Sequence, residues 1–310
     1  MKKIASIDIG SNTVRLLILE STDNQDFKLL VSKRIITRLG EGMDTQGKLM
    51  KRRMDQTLEA LSGFRQACME NGDPPLFAVA TSAVREASNG QEFVRLAKQK
   101  TGIDIKIIPW EEEARLTLAG VFWKIPHENR KVLTLDIGGG STEFILSEGK
   151  NISGFCSTPL GVVRLTEKFI TQHPVDEKEF SNLQNHLKKE LQAVKKELSA
   201  FLPELLIGTA GTVTTVAALK NNIYPYDPEK IHGSTFSSRE AKSILDDLKK
   251  KSLSERLALK SLERGREDLI IAGIAIVLET MHAFGCELLT VSEYSLREGI
   301  ILKALNENNS

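Results

Sequence analysis

The chain has 310 residues, of which 41% are apolar and 27% are charged, and its formal net charge at pH 7 is +1. This length accommodates two domains that each bury a core, and the composition is that of an ordinary globular protein. A net charge near zero excludes a global field that draws the protein to nucleic acid or to a membrane, so local groups must bind any polyanionic ligand. The longest apolar stretch, 269–278, is too short to span a bilayer. We therefore expect neither nucleic acid nor a membrane as a partner.

Cysteine usage and the N-terminus favour a reducing compartment. Cys68, Cys156 and Cys286 are widely spaced and show no metal-ligand or redox-motif spacing, so we expect three buried free thiols. The first apolar run is interrupted by Asp8 and is not followed by a cleavage site of small residues, which is unlike an export signal. These features predict a cytoplasmic localisation.

The first predicted element is a β-hairpin with a turn of small residues. An apolar strand contains Asp8 near its end, and the strand after the turn carries Arg15. The turn consists of Gly10, Ser11, Asn12 and Thr13. Such a turn directs backbone N–H groups toward one point beside a carboxylate, which is the chemistry that holds a phosphate and its counter-cation. We interpret the four turn residues and Arg15 as phosphate-binding groups, the alternative being an ordinary hairpin in a core.

Strands and helices then alternate, which is typical of an α/β fold. Periodicity and turn signals predict strands at 27–36, 76–80 and 103–108, and helices at 49–69, 89–100 and 111–122. Pro109 precedes the last of these helices, near the first turn where proline is favoured. The stretch 126–131 is polar and lacks periodicity, and we interpret it as the link between two domains.

The hairpin pattern recurs at Asp136, which lies 128 residues after Asp8 (136 − 8). The second turn contains Gly138, Gly139, Gly140, Ser141 and Thr142. Three glycines let a phosphate approach the backbone closely, and the two hydroxyl groups add donors. Asp136 and Glu143 bracket the turn and carry the hard oxygen ligands that Mg²⁺ prefers. The sequence therefore predicts a phosphate-binding loop with Asp136 and Glu143 as metal ligands.

The remaining elements continue the alternation. We predict strands at 152–156 and 287–291, a strand running into a helix over 205–212, and helices at 175–201, 237–262, 266–284 and 295–305. The duplicated hairpin predicts two related domains, 1–126 and 127–295, that face each other across a phosphate-binding cleft. The C-terminal helix, 296–310, is a candidate to complete the first domain.

Three further segments carry candidate site residues. The glutamates at 111–113 complement a helix dipole, and one of them is also a candidate to face the phosphate site. Arg85 follows a buried strand and is either a phosphate clamp or a surface arginine paired with Glu86 or Glu92. The third segment forms either a turn that packs against a nucleoside or a tight strand-to-helix turn. Its candidate residues are Gly208, Gly211 and Thr212.

With these motifs the chain resembles the exopolyphosphatase and guanosine pentaphosphate phosphohydrolase (Ppx/GppA) family of the actin-like phosphotransferase superfamily. The resemblance is carried, in family order, by residues 8–15, 38–42, 80–87, 111–116, 136–143, 208–212, 270–275 and 291–299. It implies an α/β fold of two actin-like (ribonuclease-H-like) domains. It also implies Mg²⁺-dependent removal of a terminal phosphate from inorganic polyphosphate or guanosine pentaphosphate. Longer members carry a C-terminal helical region that is absent here, so long-chain processivity and dimerisation are not implied.

By position, the resemblance assigns the catalytic role to Glu113, the metal site to Asp136 and Glu143, and a place in the phosphate loop to Gly138. With Arg85 neutralising charge, we expect an exopolyphosphatase that uses Mg²⁺. The alternatives are a guanosine pentaphosphate 5′-phosphohydrolase, a kinase of the same superfamily, and a sensor that binds guanosine penta- or tetraphosphate without turnover. Lys249 to Lys251, Arg264 and Arg266 form either a path for polyphosphate or a solvated helix face.

Overall fold

The computed structural model describes residues 2–21, 27–126 and 130–307. The chain divides into two compact units: unit 1 comprises Met1–Gly120 and Ser295–Ser310, and unit 2 comprises Val121–Tyr294. This division precedes the boundary expected at 126/127, and residues 127–129 of the expected link lie outside the described residues. The C-terminal helix belongs to unit 1.

The described elements are as follows. The strands are β1 (Lys3–Ile9), β2 (Thr13–Ser21), β3 (Phe27–Ile36), β4 (Leu76–Ala80), β5 (Ile105–Ile107), β6 (Lys131–Ile137), β7 (Thr142–Glu148), β8 (Asn151–Thr158), β9 (Leu205–Thr209), β10 (Thr235–Ser237) and β11 (Leu288–Val291). The helices are α1 (Met43–Gln46), α2 (Lys51–Glu70), α3 (Ser82–Glu86), α4 (Gly90–Thr101), α5 (Trp110–Phe122), α6 (Val162–Phe169), α7 (Glu177–Glu197), α8 (Ala210–Lys220), α9 (Pro228–Ile231), α10 (Ser238–Lys249), α11 (Leu253–Leu257), α12 (Ile270–Phe284) and α13 (Leu296–Glu307).

The sheet of unit 1 has the strand order β3-β2-β1-β4-β5. Strands β1, β2 and β3 form an antiparallel meander, whereas β4 and β5 run parallel to β1. β1 is buried from Ile4 onward, as expected for an apolar central strand. Residues of β1, β2, α2 and α4 contribute to one apolar core.

The sheet of unit 2 repeats this arrangement with the order β10-β11-β9-β6-β7-β8. β6, β7 and β8 form the antiparallel meander, and β9 runs parallel to β6. These four strands therefore correspond to β1, β2, β3 and β4 of unit 1. The predicted α/β class and the duplicated hairpin are confirmed. The core of unit 2 includes most of α12, which is apolar on all sides and therefore buried along most of its length.

The helix predicted at 237–262 is in fact two helices, α10 and α11. Ser252 begins the second one with a capping box, in which its hydroxyl accepts from the Glu255 N–H and the Glu255 carboxylate accepts from the Ser252 N–H. Serine followed three residues later by glutamate is a sequence signature of a helix start. Periodicity also misses the short elements α1, α3, α6, α9 and β10, because they span too few residues to show a period.

Cys68 and Cys156 are buried as free thiols, whereas Cys286 is a free thiol that is only half-buried. Among the residues that the structure describes, no helix has both the length and the apolar character required to cross a membrane.

Candidate functional site

The glycine loop of unit 2 is held from one side by helix α6. The Gly138 N–H donates to the Ser141 carbonyl at 2.9 Å and closes the turn between β6 and β7. The carbonyls of Gly138 and Gly139 accept from the N–H groups of Val162 and Val163 at 3.0 and 2.9 Å. In a trans peptide the N–H points opposite to the carbonyl of the same peptide. The N–H groups of Gly139 and Gly140 therefore point away from α6. These N–H groups form the edge of the loop that can bind an anion.

Gly161 is a residue of this site that the sequence motifs do not reveal. A Cβ atom at this position would lie 2.2 Å from the Gly139 oxygen and 2.2 Å from the Gly140 carbonyl carbon. Only glycine therefore allows α6 to approach the loop this closely. Gly161 follows Pro159 and Leu160, beyond the hairpin, and its contact with the loop could be expected only from a known path of the chain.

The two acids of the hairpin form a cross-strand pair. Asp136 on β6 lies opposite Glu143 on β7, so both side chains project from the same face. Glu143 is 4% exposed and accepts a hydrogen bond from the Ser157 hydroxyl at 2.9 Å. Carboxylate oxygens are the ligands that Mg²⁺ prefers, and this ion usually retains several water ligands. Among the described residues, no group of three or more His, Cys, Asp or Glu side chains is placed to hold a metal, so the predicted role of Asp136 and Glu143 as metal ligands stays a prediction.

The two hydroxyl-bearing residues after the glycines differ in their surroundings. The Thr142 hydroxyl is fully buried and donates to the Leu160 carbonyl at 2.7 Å. It therefore fastens the loop to the segment that precedes α6. Ser141 supplies the carbonyl that closes the turn, and its side chain is 6% exposed. The predicted role of Thr142 as a phosphate donor thus competes with a structural bond, and it stays a prediction.

The glycine turn between β9 and α8 lies beside the hairpin in unit 2, because Thr209 pairs with Asp136 in the parallel ladder. Ala210 has a φ of 67°, a left-handed conformation that is unfavourable for alanine. A Cβ on Gly211 would lie 2.0 to 2.3 Å from the guanidinium of Arg266, which is 5% exposed and forms a 2.7 Å ion pair with Glu263. Arg266 therefore packs directly on the turn.

The other predicted residues of this turn are tightly packed. A Cβ on Gly208 would lie 2.9 Å from Val213 and 3.0 Å from Leu289. Thr212 is 3% exposed, and its hydroxyl would lie 2.5 Å from a Cβ on Gly273 of α12. These contacts support the interpretation of a tight strand-to-helix turn for Gly208 and Thr212.

The hairpin of unit 1 is supported by a loop instead of a helix. The Gly10 N–H donates to the Thr13 carbonyl at 3.1 Å. The Asn12 carbonyl accepts from the N–H groups of Thr37 and Arg38 at 3.0 Å, and the Ser11 carbonyl accepts from the Gly40 N–H at 2.7 Å. As in unit 2, the support takes the carbonyls, and the N–H groups of Asn12 and Thr13 point to the opposite side.

Two buried polar atoms lie beside this hairpin. Asn12 Oδ1 and Thr37 Oγ1 have no hydrogen-bond partner in the part of the chain that the structure describes, and both side chains are at least 95% buried. Buried polar atoms are normally satisfied, so an unpaired one indicates a place for water or a ligand group. This observation fits the predicted phosphate-binding role of Asn12.

Arg15 lies directly opposite Asp8 across the hairpin of unit 1. Asp8 is 8% exposed; burial raises the pKa of its carboxyl group, whereas the positive charges of Arg15 and Arg297 lower it. The structure thus gives Arg15 an anionic neighbour within the protein, and its predicted contact with phosphate stays a prediction.

The structure distinguishes among the three glutamates at the start of α5. Glu113 is 8% exposed, and its carboxylate accepts a hydrogen bond from Arg85 Nη1 at 2.8 Å. The same Nη1 donates to the Ile108 carbonyl at 3.0 Å, which fixes the guanidinium. Arg85 and Glu113, predicted from separate segments, are therefore in direct contact within unit 1. Arg85 Nη1 therefore pairs with Glu113 and not with Glu86.

Glu112 has a different environment from its neighbour. It pairs with Lys303 at 2.7 Å and with Lys106 at 3.0 Å, and the hydrogen bond from Lys303 is the main cause that lowers the pKa of its carboxyl group. Helical spacing indicates that Glu113 is the more buried of the two glutamates, since it shares a helix face with buried Leu116 and Thr117. Glu112 thus has a structural role that suits it as a control for Glu113.

Comparison with known proteins places these features in a wider context. A family model described as the Ppx/GppA phosphatase family matches residues 17–308. The chain is 34% identical to a bifunctional 3-dehydroquinate synthase/phosphatase of Fusobacterium nucleatum over 97% of this chain, and it spans 46% of that protein. It is 28% identical to exopolyphosphatase 1 of Mycobacterium tuberculosis, over 98% of this chain and 88% of that protein. The crystal structure of an exopolyphosphatase from Cytophaga hutchinsonii is similar with a TM-score of 0.92 and 30% identity, covering 99% of this chain and 98% of that one.

Proposed function

The chain belongs to the Ppx/GppA phosphatase family, and from this premise we propose that it is an exopolyphosphatase that hydrolyses the terminal phosphate of inorganic polyphosphate. The family and the relatives named exopolyphosphatase support a phosphatase, a hydrolase of phosphate bonds. Our proposal adds the substrate, the use of Mg²⁺ and a water molecule activated by Glu113. The observation that carries it is the buried contact between Glu113 and Arg85.

In this mechanism Glu113 orients the attacking water and accepts its proton. Arg85 holds one carboxylate oxygen of Glu113 at 2.8 Å, so the carboxylate has a defined orientation before substrate binds. A guanidinium at this position also neutralises charge that develops on the phosphoryl oxygens. Phosphoryl transfer depends mainly on positioning and electrostatic stabilisation, and these two residues supply both.

The hairpin loops bind the phosphate chain through backbone N–H groups. In unit 2 these are the N–H groups of Gly139 and Gly140, which point away from α6. In unit 1 they are the N–H groups of Asn12 and Thr13, which point away from loop 37–40. Asp136 and Glu143 would hold Mg²⁺, which offsets the negative charge of the phosphate groups when it is bound. Their carboxylates are compatible with this role, because they project from the same face and carry the hard oxygen ligands that Mg²⁺ prefers.

The lysines at 249–251 do not support a dedicated path for the polyphosphate chain. Lys249 pairs with Glu177 at 2.9 Å and lies 4.1 Å from the Phe180 ring centroid, and Lys251 pairs with Asp247. Arg266 is engaged with Glu263 beside Gly211. These contacts favour structural roles, so we assign phosphate binding to the hairpin loops and not to these residues.

The test compares two adjacent glutamates of α5. We expect Glu113→Gln to lower Mg²⁺-dependent phosphate release from long-chain polyphosphate by about 10²–10⁴-fold, the usual range for a lost general base. Glu112→Gln removes the same charge one residue away, where it breaks ion pairs that are largely exposed, and should change turnover little. Equal losses in both variants would contradict the assignment of Glu113.

A parallel assay with guanosine pentaphosphate decides between the two substrates. Faster release from guanosine pentaphosphate than from polyphosphate, again lost in Glu113→Gln, would favour the guanosine pentaphosphate phosphohydrolase. Binding of guanosine penta- or tetraphosphate without release from either substrate would favour the sensor. Transfer of phosphate from ATP to a small acceptor would favour the kinase.

A further inference from the structure

The segment 291–299 is one of those that carry the resemblance to the family, but it belongs to neither phosphate loop. It leads into helix α13, which is part of unit 1. A Cβ on Gly299 would lie 1.8 Å from the Leu116 carbonyl oxygen of α5, and a Cβ on Gly120 would lie 1.9 Å from the Ser295 carbonyl oxygen. The two glycines therefore permit backbone contact between α13 and the helix that carries Glu113. The Glu298 carboxylate accepts from the Ser295 N–H at 2.8 Å and fixes the start of the helix.

Arg297 extends from α13 across the antiparallel part of the sheet. Its carbonyl accepts from the hydroxyl of Ser6 on β1 at 3.0 Å, and its Nη1 donates to the hydroxyl of Ser32 on β3 at 3.2 Å. Ser6, Leu17 and Ser32 form one row across β1, β2 and β3. Arg297 therefore lies along this row, and only 12% of its side chain is exposed.

The adjacent row on the same face contains the charged residues of the phosphate hairpin. It consists of Asp8 on β1, Arg15 on β2 and Arg34 on β3, each two residues along its strand from the row beneath Arg297. Residues two apart on a strand project from the same face, about 7 Å from each other. Asp8 and Arg297 are thus neighbours although 289 positions separate them in the sequence (297 − 8).

The charged groups around Asp8 come from three elements. Arg15 faces it from β2, Arg34 continues the row on β3, and Arg297 and Glu298 approach from α13; β4 contributes the apolar Val79 as its ladder partner. Glu298 is 3% exposed and pairs with Arg297 Nη2 at 3.3 Å. Burial raises the pKa of the Asp8 carboxyl group, Arg15 and then Arg297 lower it, and Glu298 raises it slightly further.

We propose that Arg297 is a positioning residue for the phosphate hairpin of unit 1, on which it acts from α13 through the buried Asp8 in the adjacent row of the sheet. A charged Asp8 attracts Arg15 across the hairpin and so anchors the two strands that lead into the turn at 10–13. Without the Arg297 guanidinium, Asp8 takes up a proton at a higher pH, and this anchor is lost. The role in phosphate binding rests on the proposed function, whereas the effect on Asp8 does not.

The first measurement is the titration of Asp8 by ¹³C carboxyl NMR in the wild type, Arg297→Gln and Arg297→Lys. We expect the Asp8 titration to move to higher pH in Arg297→Gln and to stay close to the wild type in Arg297→Lys, which keeps the charge. Lys303→Gln removes a positive charge from the same helix where it pairs with Glu112, and should not move the titration. Arg297→Met provides a second uncharged variant should Arg297→Gln fail to fold.

The second measurement is the affinity for tripolyphosphate by calorimetry at two pH values, one between the Asp8 midpoints of the wild type and Arg297→Gln and one well above both. We expect Arg297→Gln to bind more weakly than the wild type at the lower pH, by about tenfold for each pH unit between the midpoints, and the two affinities to converge at the higher pH. A loss that is the same at both pH values, or an Asp8 titration that does not move, would overturn the proposal. An Asp8 titration that moves in a protein without hydrolytic activity would reject the proposed function and leave the role of Arg297 intact.

Discussion

The hairpins of the two units share a backbone and differ in the charge at their base. In unit 1, Asp8 lies opposite Arg15, and the two formal charges cancel. In unit 2, Asp136 lies opposite Glu143, and the two negative charges add. The same turn geometry therefore carries an oppositely charged pair in unit 1 and a doubly acidic pair in unit 2. In the proposed function this single cross-strand position is what distinguishes the hairpin that would hold Mg²⁺ from the one that would bind phosphate alone.

The two hairpins also differ in what supports them. N–H groups of loop 37–40 donate hydrogen bonds to the carbonyls of Ser11 and Asn12. N–H groups in the first turn of α6 donate to those of Gly138 and Gly139. A Cβ on Gly161 would meet backbone atoms at 2.2 Å, but a Cβ on Gly40 would meet the Ser11 side chain at 2.9 Å. Unit 2 thus has the more closely fitted support.

The largest effect is expected when the acidic pair of unit 2 is broken. Glu143→Gln removes one of two carboxylates, and we expect about a 10³-fold loss of activity at limiting Mg²⁺, because a bound metal contributes several kcal/mol. Arg15→Gln changes the equivalent position of unit 1. It should leave the Mg²⁺ concentration for half-maximal activity unchanged even where phosphate affinity falls. Mg²⁺ titrations of phosphate release test both, and an equal shift in the two variants would contradict the division of roles.

A smaller effect is expected from tightening the supports. Gly161 has a φ of −82°, which alanine adopts readily, so Gly161→Ala acts only through its clash with the loop backbone. We expect a loss of about 10²-fold in kcat/KM, the cost of displacing binding groups by about 1 Å. Gly40→Ala meets the Ser11 Cβ at 2.9 Å, a milder clash than the 2.2 Å contacts at Gly161, and should lose about tenfold or less. Steady-state kinetics on polyphosphate rank the two variants, and the reverse order would show that unit 1 is the less tolerant support.

The smallest effect concerns Thr142, for which the corresponding residue of unit 1 is Val14. Thr142→Val makes the second hairpin resemble the first and removes the bond to the Leu160 carbonyl. We expect the free energy of unfolding to fall by about 1 kcal/mol, the usual net value of a hydrogen bond. Thr142→Ser keeps the hydroxyl and should retain most of this stability. Urea denaturation measures both, and equal stability of the valine variant and the wild type would show that the bond contributes nothing.

The sequence predicts those parts of the fold and candidate site whose signals are local. The hairpins are legible because each strand and turn is continuous in the chain, and the strand-to-helix alternation follows from short-range periodicity. Asp136 and Glu143 were predictable as neighbours, since a tight turn forces them to pair across the strands.

The rest depends on contacts between distant segments. Gly161 meets the loop only because the chain returns through β8, and Arg85 meets Glu113 only because α3 and α5 follow adjacent parallel strands. Thr142 has a hydroxyl that could donate a hydrogen bond to phosphate, yet this hydroxyl donates to the Leu160 carbonyl. Helical spacing suggests that Glu113 is more buried than Glu112, but their different partners, Arg85 for Glu113 and Lys106 and Lys303 for Glu112, come from distant segments.

The return of α13 to unit 1 has a consequence for biosynthesis. The first hairpin is translated before unit 2, whereas its buried neighbour Arg297 and Gly299, which contacts Leu116 closely, are translated after unit 2. Unit 2 is continuous in the chain and can acquire its core earlier, since domains generally fold as units during synthesis. Unit 1 must therefore wait with an incomplete sheet face, and Asp8 stays in contact with solvent until α13 covers it. The hairpin that precedes unit 2 in the chain is therefore completed only after unit 2 has been made.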